Sequence, residues 1–401
     1  MGFLYINSKG QKWCKHSYSA GLLFNKNPYF YYLQKVLGWR VKDNLARFAF
    51  GRALEEAIEF YHSNFGKGGV EAFERNWDAY KDTPLIYTRT EKDWASLLRT
   101  GREMMRLYII HQPRLPIPIG AHVVFQREYS KEVFPGLEPY SGIEHAGKLD
   151  IIAYVDPNHP LLPSLPTWGF NLRPVIIDIK TSAVDFSVMP GLAAFDIQLR
   201  GYSWLSGIRT VALLWFVKKS HSLQKGSSIT LLEAHGNMKA GQEGVIAMID
   251  GDYAYLVSND FLLEEMHRAQ GEKNGKTEQT KEAKARKLKW LEEYAVRVPG
   301  GCITKQRLQF NIGIVSEESA LDAGRQVGDQ IVRIVNAWTT NTYPQLSGIR
   351  YPKDDSQDPY FRAFVLQDEV YKKENFVKRD DEINDMFEDT GEGVNEDNLQ
   401  V

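Results

Sequence analysis

Apolar residues recur at helical spacing through the first hundred positions of this chain. Between Phe48 and Phe65, the residues Leu54, Ile58, Tyr61 and Phe65 follow one another at steps of four, three and four. That spacing gathers them on one stripe of an α-helix, and residues 17–66 are expected to be largely helical. At about 100° per residue, Glu55 and His62 fall at the edge of the stripe while Glu56 points away. Glu55 can therefore lean into a site that Glu56 cannot reach. Residues 70–112 predict further helix, with Trp77, Tyr80, Trp94, Leu97, Leu98, Met104, Met105 and Leu107 as core candidates.

The pattern then changes. Residues 122–134, 148–155, 175–181 and 211–217 predict four strands, the third and fourth nearly continuous in apolar residues, as strands buried on both faces are. The loop between the second and third contains Pro157, Pro160, Pro163, Pro166 and Pro174, with Trp168 and Phe170 among them. A long loop beside strands of this kind is often functional, and either aromatic is suited to stack on a base. Further on, 228–232 and 245–257 predict hairpin strands, the second broken by the turn signal Asp250-Gly251-Asp252. A highly charged helix is expected over 276–296. An amphipathic helix is expected over 320–338, with Val327, Ile331, Ile334 and Val335 on one side.

Composition changes this picture little. The 401 residues can bury a sizeable core and suggest two or three units. No apolar run approaches the ~18 residues that span a membrane, and the first twelve residues have no signal-peptide core. Cys14 and Cys302 exclude a disulfide framework and a four-cysteine cluster, and point to a reducing, cytoplasmic setting. Charge is more telling. The net −2 hides an acidic tail, 378–401, with 9 acidic and 2 basic residues; its −7 leaves +5 on residues 1–377. A mildly basic body suits nucleic acid. The tail, poor in apolar residues, is expected to be disordered and offers a docking segment for a protein partner. The segment Gly271-Glu272-Lys273-Asn274-Gly275-Lys276-Thr277 imitates a phosphate-binding loop, but it is one residue short between its glycines and no apolar strand feeds it. No nucleotide cofactor is expected.

The candidate chemistry lies at the strand ends. In Val175-Ile176-Ile177-Asp178-Ile179-Lys180, alternation turns Asp178 and Lys180 to one side, and two charges closing an apolar run are costly without a role. Gly147-Lys148-Leu149-Asp150 brings a second acid to the preceding strand. Gln198 and Tyr202 stand one helical turn apart. Asp150 and Asp178, with the backbone carbonyl of Ile179, offer hard oxygens to Mg²⁺ or Mn²⁺, and Glu55 can complete or flank that shell. Lys180 can orient a water or stabilise developing charge; Gln198 and Tyr202 can hold Lys180 or a phosphate oxygen. Arg200 is a candidate phosphate contact on another side of the same helix. Together these form a metal-assisted phosphodiesterase constellation.

In order along the chain, Ser17–Leu22 with Asn27–Tyr32, Gly51–Glu55, Gly147–Asp150, Asp178–Lys180 and Gln198–Tyr202 resemble the motifs of the RecB-like branch of the PD-(D/E)XK nuclease superfamily, which includes the CRISPR-adaptation exonucleases. The resemblance covers roughly residues 17–217, with a weaker echo to about 366. It implies an α/β restriction-endonuclease-like core, a central mixed β-sheet flanked by helices, with an N-terminal helical region and C-terminal additions. It implies Mg²⁺ or Mn²⁺ dependence and cleavage of DNA, commonly from ends. By similarity Asp150 and Asp178 are metal ligands, Lys180 is catalytic, and Gln198 and Tyr202 support the site and DNA. Many relatives carry His where Glu55 stands. Iron–sulfur relatives carry a cysteine where Asn27 stands and three more near the C-terminus. Tyr351–Leu366 has none, so no iron–sulfur cluster is expected, and Pro28, Tyr31, Tyr32, Tyr360 and Phe361 are expected to pack in its place.

The units expected are an N-terminal helical region (1–120) contributing Glu55, a nuclease core (121–220), C-terminal hairpin and helical elements (221–377), and the acidic tail. The function expected is an ATP-independent DNA exonuclease of recombination, repair or phage DNA processing, in the cytoplasm of a bacterium or a phage-infected host, with no membrane partner. The alternatives are a single-strand or structure-specific endonuclease, or a non-catalytic DNA-binding subunit of a larger complex.

Overall fold

A computed structural model of the chain describes residues 4–6, 9–41, 44–87, 93–115, 117–130, 141–155, 173–182, 191–218, 223–273, 276–277, 280–344 and 360–378. It is an α/β molecule built on a mixed central sheet with helices against both faces, and it carries a second, antiparallel sheet. The central sheet uses β1 (Leu4–Ile6), β2 (Lys12–Ser17), β3 (Ile117–Ser130), β4 (Gly142–Val155), β5 (Arg173–Ser182), β6 (Thr210–Val217) and, late in the chain, Arg307–Ile314. Its order is β1-β2-β4-β5-β6 followed by Arg307–Ile314, with β3 also paired to β4. The β2–β4 and β5–β6 pairs are parallel; the others in this sheet are antiparallel.

Strand β3 runs along β4 from Gly142 to Tyr154 and so occupies one whole edge of it. The opposite edge is shared: β2 pairs with Gly142–Ala146, and β5 pairs with Ile151–Val155. The sheet therefore forks along β4, at residues 147–150. Asp150 stands at the fork, and β5 runs on past it from Asp178 to Ser182 with β6 as its one paired neighbour among the described residues.

Both faces of β5 are covered. Val175, Ile177 and Ile179 pack into a core with α2 (Ala46–Ser63), α3 (Gly69–Asp78) and α4 (Trp94–His111). Ile176 packs on the other face with Leu199 and Tyr202 of α5 (Ile197–Ser206). Phe50, Leu54 and Ile58 of α2 are wholly buried, each contributing ~1.5–3 kcal/mol by transfer from water. Helix α6 (Lys281–Tyr294) packs Leu291 against the second sheet, and α7 (Glu317–Thr340) buries Val327, Ile331 and Val335 against Ile143 of β4.

The second sheet is made of β7 (Ser228–Leu231), β8 (Glu243–Asp250), β9 (Tyr253–Val257), β10 (Val296–Pro299) and β11 (Ile303–Thr304), in the order β10-β9-β8-β7-β11. The hairpin expected across Asp250-Gly251-Asp252 is β8–β9, and Gly251 supplies the positive φ of its turn.

Several expectations need correction. Residues 17–66 are largely helical as expected, although short strands at Trp39–Val41 and Asn44–Leu45 precede α2. Phe65 does not join the α2 core stripe, because the helix ends at Ser63 and Phe65 adopts φ +54°, which turns its side chain out at 94% exposure. The second strand starts at Gly142 rather than 148, since pairing with β2 and β3 buries positions such as His145 that hydropathy alone leaves outside. The charged helix starts after its Thr280 cap, not at 276. Trp168, Phe170 and residues 379–401 of the acidic tail lie outside the described residues. The same holds for Asn274 and Gly275 of the loop-like segment.

Candidate active site

The fork carries the charge. Asp178 is 1% exposed and points to the α5 side of β5, the side of Ile176. Lys180, two residues on, follows the same direction. Its Nζ donates to Asp178 Oδ1 at 3.0 Å and to Gln198 Oε1 at 3.2 Å. Gln198 Nε2 in turn donates to the Tyr202 hydroxyl at 2.8 Å. The Asp196 cap, whose Oδ1 accepts from Leu199 N–H at 2.9 Å, starts the helix that presents this pair. The helix lies close because position 147 is glycine: a Cβ there would stand 2.8 Å from Leu205 Cδ2 and 3.0 Å from Tyr202 Cε1.

Asp150 crosses the fork. Its Oδ2 accepts the backbone N–H of Ile179 at 2.8 Å, replacing the ladder bond that β4 no longer makes at this position. In a strand the N–H and C=O of one residue point to the same edge, so the Ile179 carbonyl also faces the fork. Glu55 enters from α2, on the other face of the sheet. One turn earlier, Gly51 brings α2 within 3.9 Å of the Thr181 hydroxyl, measured from the position a Cβ would take.

The electrostatics are those of carboxylates packed together. Burial, then Asp150, pushes the Asp178 carboxyl up to about 7 despite Lys180. Burial, then Asp150 and Asp178, pushes Glu55 up to about 8. Burial opposes charge on Lys180, but Asp178 and Asp150 outweigh it and hold the ammonium above its ordinary range. Asp178 Oδ2 lies 2.7 Å from Lys180 Nζ, yet it receives no aligned hydrogen bond and is closed to solvent. Asp150 raises both Asp178 and Glu55, and the Lys180 ammonium beside them does not offset this repulsion. A hard divalent cation would offset that repulsion, with Asp150, Asp178, Glu55 and the Ile179 carbonyl as candidate oxygen ligands.

Not every expected residue is here. Arg200 donates from Nη2 to the carbonyl of Ser319 at 3.1 Å and to Asp322 Oδ2 at 2.9 Å. It ties α5 to α7. Asn27 caps the short helix after α1 (Tyr18–Lys26), its Oδ1 accepting from Tyr29 and Phe30. Phe30 and Tyr360 pack with Phe376, while Tyr31 joins Phe24 and Ile334 in a separate cluster, and Tyr32 stacks on Tyr343 at 4.5 Å. Two neighbours were missed from sequence. Tyr18, pushed up to about 12 by burial, Asp196 and Asp178, lies close enough to feel the site. Asp196 acts electrostatically on both Asp178 and Lys180. Tyr18 was legible only as part of the Ser17–Leu22 element, and Asp196 reads as a helix cap, so neither stood out as a site residue.

Among the described residues, the set whose donor atoms already lie within 4.8 Å of one another is a different one: Glu233, His235 and Cys302. Glu55, Asp150 and Asp178 are spread more widely.

No protein-family model and no curated protein matches the chain. Among solved structures it is similar to SSO0001, known from a crystal structure, at 15% identity over 48% of this chain and 70% of that one, with a TM-score of 0.18. No described helix is long and apolar enough to cross a membrane.

Proposed function

We propose that this protein is a metal-dependent DNA exonuclease of the RecB-like PD-(D/E)XK type. The observation that carries the reading is the cluster at the fork: Asp150 and Asp178 on adjoining strands, with Lys180 held between Asp178 and Gln198. The end-dependent, DNA-directed part of the reading comes from the motif resemblance and from the basic balance of residues 1–377.

Asp150, Asp178, Glu55 and the Ile179 carbonyl would hold Mg²⁺ or Mn²⁺, which supplies an activated water and neutralises charge on the attacked phosphate. Lys180 Nζ, held by Asp178 and Gln198, would act as a fixed cation facing the developing negative charge. Gln198 fixes the ammonium by accepting from it, and Tyr202 fixes Gln198. Asp150 also holds Ile179, so the residue that would ligate the metal also aligns the fork.

A time course on end-labelled linear DNA beside covalently closed circular DNA, with Mg²⁺ or Mn²⁺ and with EDTA, tests the proposal. Metal-dependent loss of linear DNA with circles intact is expected. Cutting of circles replaces the exonuclease reading with an endonuclease one. Binding without cleavage under every metal condition overturns the enzyme reading.

A further inference from the structure

Away from the fork, the second sheet brings Glu233, His235 and Cys302 together, each offering a ligand atom within 4.8 Å of the other two. They are separated by up to 69 positions in sequence, and the fold fastens their segments independently of any ligand. Leu231 pairs with Ile303, and Leu232 N–H donates to the Cys302 carbonyl at 2.8 Å. His235 and Met238 exchange two backbone hydrogen bonds at 3.0 Å, closing the loop that carries the imidazole.

The donor atoms are poised as ligands. Cys302 Sγ lies 3.4 Å from Glu233 Oε2, while Arg106 Nη2 of α4 donates to the other oxygen, Oε1, at 2.7 Å. Glu233 can therefore turn Oε2 to an ion and keep Arg106 on Oε1, the arrangement by which an outer hydrogen bond orients a ligating carboxylate. His235 brings a second, independent sign: its Nε2 is closed to solvent and has no hydrogen-bond partner among the described residues. A buried imidazole nitrogen without a partner is a costly element in a fold unless something binds it.

We infer that Glu233, His235 and Cys302 form a site for a transition-metal cation of the Zn²⁺ class, clipping the 232–238 loop to the turn that carries Cys302 beside α4. One thiolate, one imidazole and one carboxylate select Zn²⁺ or Co²⁺ over Mg²⁺. Ligands on a tetrahedral Zn²⁺ stand about 3.3–3.8 Å apart, which the thiol–carboxylate separation already meets. Three protein ligands leave one position for water. Binding breaks the Cys302 S–H bond, forms the metal–thiolate bond and releases the proton to solvent. Thiolate and carboxylate together offset the dication, and Arg106 remains paired through Oε1.

The test is a Co²⁺ titration of the full-length protein, read by thiolate-to-cobalt charge-transfer absorption in the near ultraviolet. The expected result is a band saturating at one Co²⁺ per chain, displaced by Zn²⁺ and indifferent to excess Mg²⁺. Cys302→Ser should abolish it, and Cys14→Ser should leave it. His235→Ala and Arg106→Ala should weaken binding, the latter by about 10–100-fold. No band in the folded wild type, or a band that survives in Cys302→Ser, overturns the site. Far-UV circular dichroism shows whether each variant is folded, and the wild-type titration decides even where a variant is not. No DNA enters the measurement, so its failure would leave the nuclease proposal standing.

Discussion

Asp150 and Ile179 are joined across a fork in the central sheet, carboxylate oxygen to backbone N–H at 2.8 Å. The bond takes the place of a ladder contact where β4 and β5 part. It makes Asp150 both a fastener and a candidate ligand, and the two roles are separable. Asp150→Asn keeps an acceptor for Ile179 and should change stability by less than about 1 kcal/mol, while Asp150→Ala leaves the buried N–H unpaired and should cost ~1–3 kcal/mol. Both should lose metal-dependent hydrolysis. Urea unfolding beside a nuclease assay separates them; full activity in Asp150→Asn would contradict the ligand role.

The acids at the fork make the metal-free protein sensitive to pH. Asp178 is raised to about 7 and Glu55 to about 8, both chiefly by burial. Their folded values lie above the ordinary carboxylate range, so across the interval between, the folded chain binds more protons than the unfolded one. The stability they contribute is fully present below about pH 4 and is lost as pH rises through about 8. In EDTA the melting temperature should fall as pH rises from about 5 to 8, with a shallower fall in Asp178→Asn. Mn²⁺ should reverse the fall and displace protons on binding, which calorimetry in buffers of different ionisation enthalpy measures directly.

Gly147 permits the close approach of α5. Gly147→Ala would press a methyl to 2.8 Å from Leu205 Cδ2 and 3.0 Å from the Tyr202 ring. Overpacking of this kind costs ~1–3 kcal/mol. Because Tyr202 holds Gln198, and Gln198 holds Lys180, the variant should also lose rate beyond its loss of stability. A variant as active as wild type at a temperature where both are folded would sever that chain.

Phe65 ends α2 with a left-handed residue where glycine is preferred. Gly66 N–H returns to the Tyr61 carbonyl at 2.8 Å and Phe65 N–H to His62 at 3.3 Å, the paired bonds of a Schellman ending, with Phe65 at φ +54° and exposed. Phe65→Gly should stabilise the protein by about 1 kcal/mol, since little apolar contact is lost and the left-handed strain is relieved. Denaturant midpoints check it, and a loss of stability would show that the exposed ring has a partner.

What the sequence made legible follows from period. The two-residue repeat in β5 put Asp178 and Lys180 on one side, and the helical turn from Gln198 to Tyr202 put both on one face; each is a local property of the backbone. The fork was not legible. It arises because β2 and β5 share an edge of β4 across more than a hundred residues of chain, and nothing near Asp150 encodes that. The partners of Arg200 were not legible for the same reason: Ser319 and Asp322 stand on a helix more than a hundred positions away. Glu233 and His235 stand two apart, but Cys302 lies 67 positions beyond His235, and strand pairing alone brings it to them. Phe65 failed through a break in period at a helix end, which hydropathy does not register.

The most direct test of the central claim is the rate of nucleotide release from linear DNA by wild type and Lys180→Ala, at saturating Mg²⁺ and under matched folded conditions. Loss of the ammonium that Asp178 and Gln198 hold should lower the rate by about 10²–10³-fold, with DNA binding retained. A wild-type rate in Lys180→Ala, or hydrolysis that persists in EDTA, would contradict it.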